Sequence, residues 1–166
     1  MSVLAHRRLE LFIAIAVVVL DQITKAMVRD RLPLHDSISV IPGFLDLTRV
    51  HNTGAAFGML NGVDFPLKTL VLSVVASVAL AGVSWYALSV PLSDRFARIG
   101  VAGILGGAIG NLIDRSTEGY VLDFVDAYWR GWHFWAFNVA DAAITVGVVF
   151  MILDILGLGR RASNPV

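Results

Sequence analysis

The sequence predicts an all-α membrane protein with four transmembrane helices, a small extracytoplasmic β-rich loop region and an interfacial aromatic segment. Three observations carry this reading. Of the 166 residues, 57% are hydrophobic and only 16% charged, where a soluble domain carries about 25% charged residues. The apolar residues gather into long stretches, each close to the roughly 20 residues that a helix needs to cross the hydrocarbon core. The segments between those stretches differ in basic content in the manner of a multi-pass protein. One domain over residues 1–166 is expected at this length.

The first span is expected at about 9–28, with an unbroken apolar run at 11–20 ahead of Asp21. Arg7 and Arg8 before such a run also describe a secretory signal peptide. Apolar residues resume after Asp21 and no small-x-small cleavage site follows, so a retained anchor is the better reading. The second span covers about 67–90, with Lys68 at its edge, and the third, glycine-rich, covers about 96–114. The fourth covers about 134–156 and is interrupted by Asn138 and Asp141.

Charge sets the orientation. With both termini cytoplasmic, the inner segments hold Arg7, Arg8, Arg95, Arg98, Arg160 and Arg161 against Glu10 and Asp94. The outer loop at 29–66 holds Arg29, Arg31 and Arg49 against Asp30, Asp36, Asp46 and Asp64. The outer loop at 115–133 holds Arg115 and Arg130 against Glu118, Asp123 and Asp126. Only the inner side is positive, as the positive-inside rule requires. In the first outer loop, residues 37–41 and 44–50 read as two short strands about the turn pair Pro42-Gly43. Tyr128, Trp129, Trp132, Phe134 and Trp135 read as an aromatic belt at headgroup depth.

Polar side chains inside the spans are the chemical signal. An aspartate at the centre of a span costs about 2.5–3.5 kcal/mol on insertion scales. Asp21, Asn111, Asp114, Asn138 and Asp141 nevertheless occur, all toward the outer ends of their spans, so three helices direct polar groups to one depth. Asn138 and Asp141 share a helix face, as do Asn111, Asp114 and Arg115. Asp21 precedes Lys25 by four residues, which suits a self-contained ion pair with Lys25 snorkelling outward, or a supporting part in a site. Asp141 lies among Val139, Ala140, Ala142 and Ala143 with no base nearby in sequence, so it needs a partner from another segment. Asp123, with apolar flanks and no local base, is the natural one, whereas Asp126 reads as a solvated interface acid.

Two adjacent aspartates cannot both ionise, so they share a proton. The ionised member takes a proton from water while the protonated one polarises a carbonyl oxygen. That is aspartic-protease chemistry, and it calls for no metal or cofactor. Other chemistries fit poorly. Cysteine is absent, no His-Glu-x-x-His or Gly-x-Ser-x-Gly motif occurs, and His6, His35, His51 and His133 all lie outside the spans.

At five places the chain resembles the lipoprotein signal peptidase (signal peptidase II) family of bacteria. The blocks are Asp21-Gln22-Ile23-Thr24-Lys25, Asn52-Thr53-Gly54-Ala55-Ala56-Phe57 and Gly106-Gly107-Ala108-Ile109-Gly110-Asn111-Leu112-Ile113-Asp114-Arg115. They continue with Val121-Leu122-Asp123-Phe124-Val125-Asp126 and Phe137-Asn138-Val139-Ala140-Asp141. The resemblance implies Asp123 and Asp141 as a catalytic dyad, with supporting roles for Asp21, Lys25, Asn52, Gly54, Asn111, Arg115 and Asn138. It implies a diacylglyceryl-modified prolipoprotein as substrate, cut just before the lipidated cysteine, and binding of the cyclic peptide globomycin. It further implies a monomer in the bacterial inner membrane, in contact with lipid and not with nucleic acid, its site near the extracytoplasmic face. The glycines of the third span allow close helix packing, which is sufficient to account for them, and on this reading they also leave lateral room for the signal helix of the substrate.

Two rivals also use membrane acids. A presenilin- or prepilin-peptidase-like protease would carry Gly-x-Gly-Asp, which is missing. A proton-coupled transporter would relay protons through the same aspartates. It predicts acids near mid-span and internal repeats, and neither is evident.

Overall fold

The computed structural model describes residues 7–54, 60, 62–63 and 65–158. Four helices and four strands follow one another in the order α1 (Arg8–Arg31), β1 (Ser37–Ile41), β2 (Leu45–Asn52), α2 (Lys68–Ser89), α3 (Arg95–Thr117), β3 (Val121–Trp129), β4 (Trp132–His133) and α4 (Val139–Ile155). Ala55, Ala56, Phe57, Asp64, Arg160 and Arg161, which figure in the motif and charge readings above, lie outside the described residues.

The helices are inverted relative to those of a soluble protein. On α1, Phe12 is 70% exposed while Asp21 and Lys25 are wholly buried. That is the arrangement lipid favours, apolar outside and paired polar groups within. Among the described residues α1, α2 and α3 are long and apolar enough to cross a membrane. The fourth helix is shorter, with 17 residues.

At the centre, α3 packs against the three other helices. Its glycines permit this. Gly106 faces Ala14 and Val17 of α1, while Gly100, Gly103 and Gly107 face Gly147, Ala143 and Ala140 of α4. A methyl group at Gly107 would run into the Ala140 carbonyl. The glycine stripe is therefore filled by α1 and α4, and the lateral room expected there for a further helix is absent. By contrast, α2 has no buried residue and leans on α3 through Val83 and Ala87, which pack beside Val90, Ala97 and Val101. At the N-terminal end of α1, Arg7 donates to the carbonyls of Ala87 and Val90, closing the C-terminus of α2, and Arg98 pairs with Glu10 to tie α3 to α1.

The strands form one antiparallel series, β1-β2-β3-β4. Gly43, at φ +81°, supplies the left-handed turn between the first two. Two expectations need correction here. The connection at 115–133 is not irregular chain, since residues 121–129 form β3, which pairs along β2 from Leu45↔Ala127 to Asn52↔Val121. The helix expected from residue 134 begins only at Val139. Phe137 instead bridges Val125 as extended chain, and Asn138 then caps α4. Helix α1 also runs on to Arg31, three residues beyond the expected end of its span.

Candidate active site

The site lies where the C-terminal ends of α1 and α3 and the N-terminal end of α4 meet β2 and β3. It is built from helix and strand ends rather than from free loops.

Asn138 is the N-cap of α4 and forms a capping box. Its Oδ1 accepts the Asp141 N–H at 2.9 Å, and the Asp141 carboxylate accepts the Asn138 N–H at 3.3 Å. The amide group of the same cap donates to Asp123 Oδ1 at 2.8 Å. One asparagine thus joins Asp141, on the first turn of α4, to Asp123 on β3. From the neighbouring strand, Asn52 Nδ2 donates to the other oxygen, Asp123 Oδ2, at 2.9 Å. The cross-strand register explains this contact: Val50 stands opposite Asp123 and Asn52 opposite Val121, all on one face of the sheet. Asn111 on α3 donates to Asp141 Oδ1 at 2.8 Å.

Neither aspartate forms a salt bridge among the described residues. Asp123 is 3% exposed. Burial, then the neighbouring Asp141 charge, push its carboxyl up to about 7, against the opposing hydrogen bonds from Asn52 and Asn138. A group that titrates near neutrality, with amide donors on both oxygens and a second carboxylate in electrostatic reach, is suited to proton transfer.

Behind the two aspartates lies an ion cluster. Lys25 is wholly buried between Asp21 and Asp114, at 2.8 and 2.9 Å. It does not snorkel outward. Two carboxylates and the oxygen of Asn111 satisfy it inside the protein, and this removes the drive toward water. Arg29 also reaches Asp114, at 3.1 Å, and Gln22 bridges Asp21 and Asp114. Arg115 takes a different path and donates to the Gly54 carbonyl at 3.0 Å, while Gly54 N–H donates to Asn52 Oδ1 at 2.9 Å. These bonds tie the end of α3 to the segment after β2.

Several members of this cluster carry weak sequence signals. Gln22, Arg29 and Asp114 were not singled out as supporting residues. The signal available was the helical stripe Asp21, Lys25, Arg29, at spacings of four. Asp126 is not simply solvated, because it is half-buried and bonded to His133 Nδ1 at 2.9 Å. His51 stacks on Tyr120 with ring centroids 3.6 Å apart, and strand alternation puts it on the face away from Asp123. Burial, followed by nearby Arg49, lowers its pKa. A surface cavity of about 700 Å³, lined by Thr53, Phe65 and Lys68 among others, opens beside the Asn52-Thr53-Gly54 segment and contains neither aspartate. Among the described residues, no group of three His, Asp or Glu side chains could hold a metal ion.

The family described as Signal peptidase (SPase) II matches residues 13–157 of the chain. The chain belongs to the signal peptidase II family. The lipoprotein signal peptidase of Symbiobacterium thermophilum is 43% identical over 156 residues, which cover 93% of this chain and 99% of that one. That of Acinetobacter baumannii is 38% identical, over 94% of this chain and 88% of that one. A solved bacterial membrane enzyme structure superposes with a TM-score of 0.81 at 30% identity, over 95% of this chain and 93% of that one. Cleavage of prolipoprotein signal peptides is the function of the signal peptidase II family. The transporter reading finds no support among these relatives and is set aside.

Proposed function

We propose that this signal peptidase II uses Asp123 and Asp141 as an aspartic dyad to remove signal peptides from diacylglyceryl-modified prolipoproteins, cutting just before the lipidated cysteine. The observation that carries the reading is the Asn138 bridge. A single cap residue holds two carboxylates that have no ion-pair partner among the described residues. At neutral pH the pair keeps one shared proton. The ionised carboxylate takes a proton from water, whose oxygen attacks the carbonyl carbon before the cysteine. The protonated carboxyl donates to the carbonyl oxygen as the tetrahedral intermediate forms. Collapse breaks the C–N bond, and a dyad proton passes to the cysteine nitrogen as it leaves. The amides of Asn52, Asn111 and Asn138 orient the carboxylates without titrating themselves. Arg115 and Gly54 fix the segment that follows β2. Neither metal nor cofactor is required.

The same reading places the whole chain in the membrane as one domain. Helix α4, at 17 residues, rises about 25 Å and lies at the short end of the range for a span. It serves as the fourth transmembrane helix beside α1, α2 and α3. Trp129, Trp132 and Trp135, each more than half exposed, would sit at headgroup depth. The termini are then cytoplasmic, the site faces the outer side of the bacterial inner membrane, and the lipid of the substrate stays in the bilayer. A monomer suffices for this chemistry, and a cyclic peptide such as globomycin would compete for the dyad.

The test is a gel-shift cleavage assay with purified protein in detergent and a lipidated prolipoprotein. Wild type should release the signal peptide, while folded Asp123→Asn and Asp141→Asn should not. Normal turnover by either variant would remove it from the dyad. An inert wild type would overturn the substrate assignment.

A further inference from the structure

Lys25 Nζ has three acceptors, Asp21 Oδ2 at 2.8 Å, Asp114 Oδ2 at 2.9 Å and Asn111 Oδ1 at 3.0 Å. They match the three protons of an ammonium group. Each acceptor then leads to a carboxylate of the dyad. Asp21 Oδ1 accepts the N–H of Ala140 at 3.0 Å, the residue just before Asp141. Asp114 Oδ2 accepts the N–H of Leu122 at 3.1 Å, the residue just before Asp123. Asn111 Nδ2 donates to Asp141 Oδ1 itself, at 2.8 Å. One buried cation therefore anchors both chain segments that carry the candidate catalytic groups, from α1, an element that carries neither.

We propose that Lys25 is a positioning residue for the reaction, setting through Asp21, Asp114 and Asn111 where the two carboxylates stand and which end of the Asn111 amide meets Asp141. The inference rests on the peptidase reading given above. The amide argument is one of donors and acceptors. Asn111 Oδ1 receives protons from Lys25 and from Asn138 Nδ2, at 3.0 and 3.2 Å. Its NH₂ group is thereby turned toward Asp141, where it stabilises an ionised carboxylate. Without Lys25 the oxygen keeps only the longer Asn138 bond, so the amide is held less firmly, and a turned amide would set its oxygen against that carboxylate. The charges facing this network come from every packed element. They are Asp21 and Arg29 on α1, Asp114 and Arg115 on α3, Asp123 on β3 and Asp141 on α4.

A purely stabilising ion cluster would share this geometry but not its consequences for turnover. The test compares full-length wild type, Lys25→Met and the triple variant D21N/K25M/D114N in detergent on a lipidated prolipoprotein, with Asp141→Asn as the inactive control. The triple variant keeps an acceptor for Ala140 N–H and for Leu122 N–H while it removes the three wholly buried charges together, and the Arg29 left without its carboxylate is a quarter exposed and reaches water, so it should melt close to wild type. Its kcat should fall about 100-fold with KM little changed, because displacement of reacting groups by ångström amounts has that effect. Lys25→Met should move the alkaline limb of the pH–rate profile upward, since the Lys25 charge is among those that hold Asp123 down. Wild-type kcat in a folded triple variant, or an unshifted profile in Lys25→Met, would overturn the proposal. Unfolding of the triple variant would do so too, assigning the cluster to stability alone. An inert wild type would instead sink the peptidase reading.

Discussion

Asn138 Nδ2 lies 2.8 Å from Asp123 Oδ1, so the residue that caps α4 also holds a carboxylate on β3. Helix capping and the geometry of the proposed dyad are therefore one interaction. Asn138→Ala should cost about 1–2 kcal/mol through the lost cap alone, and more because Asp123 loses a buried donor. In the cleavage assay its activity should fall further than its melting temperature explains. Asn138→Asp restores the cap acceptor but sets a third carboxylate beside two others, and it should remain inactive although its helix is capped. An active Asn138→Asp would separate capping from dyad geometry.

Asp123→Asn and Asp141→Asn should each lower kcat by about 100-fold to 10,000-fold, the range for loss of a positioned acid or base. In the proposed mechanism both residues serve one proton-sharing unit, so the double variant should be scarcely worse than either single. Additive losses, read from initial rates of signal-peptide release, would mean that the two carboxylates act in separate steps.

The pH dependence of stability follows from Asp123. Its folded-state pKa is raised, to about 7, while the unfolded chain titrates near 4. The neutral carboxyl is thus favoured by folding, and the associated stability is fully present below about pH 4 and lost as pH rises through 7. Asp123→Asn keeps a neutral side chain at every pH. Its stability advantage over wild type should grow from pH 4 to pH 7, level off above, and reach a few kcal/mol. Thermal melts at pH 4, 6 and 8 give the sign directly, and an advantage that shrinks with pH would contradict it. In the proposed mechanism the same proton should set the alkaline limb of activity near pH 7, above which the dyad would have no acid to donate.

The parts legible in the sequence are those where one residue type contradicts its surroundings. Asp21, Asn111, Asn138 and Asp141 stand out against apolar runs, and three helices stand out by length and hydropathy. Strand β3 does not. Val121 to Phe124 are buried on both faces, so they show no alternation, and the polar residues Asp123 and Asp126 are three apart, out of step with a period of two. The start of α4 was misplaced because Phe134, Trp135 and Phe137 are as apolar as a helix, while the signal that mattered, Asn138 with Asp141 three residues on, is a capping box. Lys25 misled for a related reason. An acid and a base four residues apart suit a solvated helix end, and only a second carboxylate from α3 turns the pair inward. Asn52 and Gly54 are visible only through the family resemblance, because nothing local marks an asparagine at a strand end as the partner of a strand residue far along the chain.

The close approach of α3 to its neighbours gives a last prediction. A Cβ at Gly110 would stand 2.6 Å from Asp21 Oδ2, and one at Gly107 would overlap the Ala140 carbonyl. The two obstacles differ in kind. Asp21 is a side chain already fixed by Lys25 and by the Ala140 N–H, so Gly110→Ala presses directly on the buried network. Gly107→Ala instead pushes the α4 backbone away beside Asp141. Overpacking of this kind typically costs about 1–3 kcal/mol, so both variants should melt below wild type yet remain foldable. Their kcat should fall as well, since each displaces an element that carries or anchors a dyad carboxylate. Gly82 on α2, which has open space around its Cβ position, is the control. Gly82→Ala should leave turnover unchanged and, through better helix propensity, raise stability by up to about 1 kcal/mol. If Gly107→Ala melts lower but turns over normally, the helix contact serves stability only, and the precise seat of α4 does not govern the reaction.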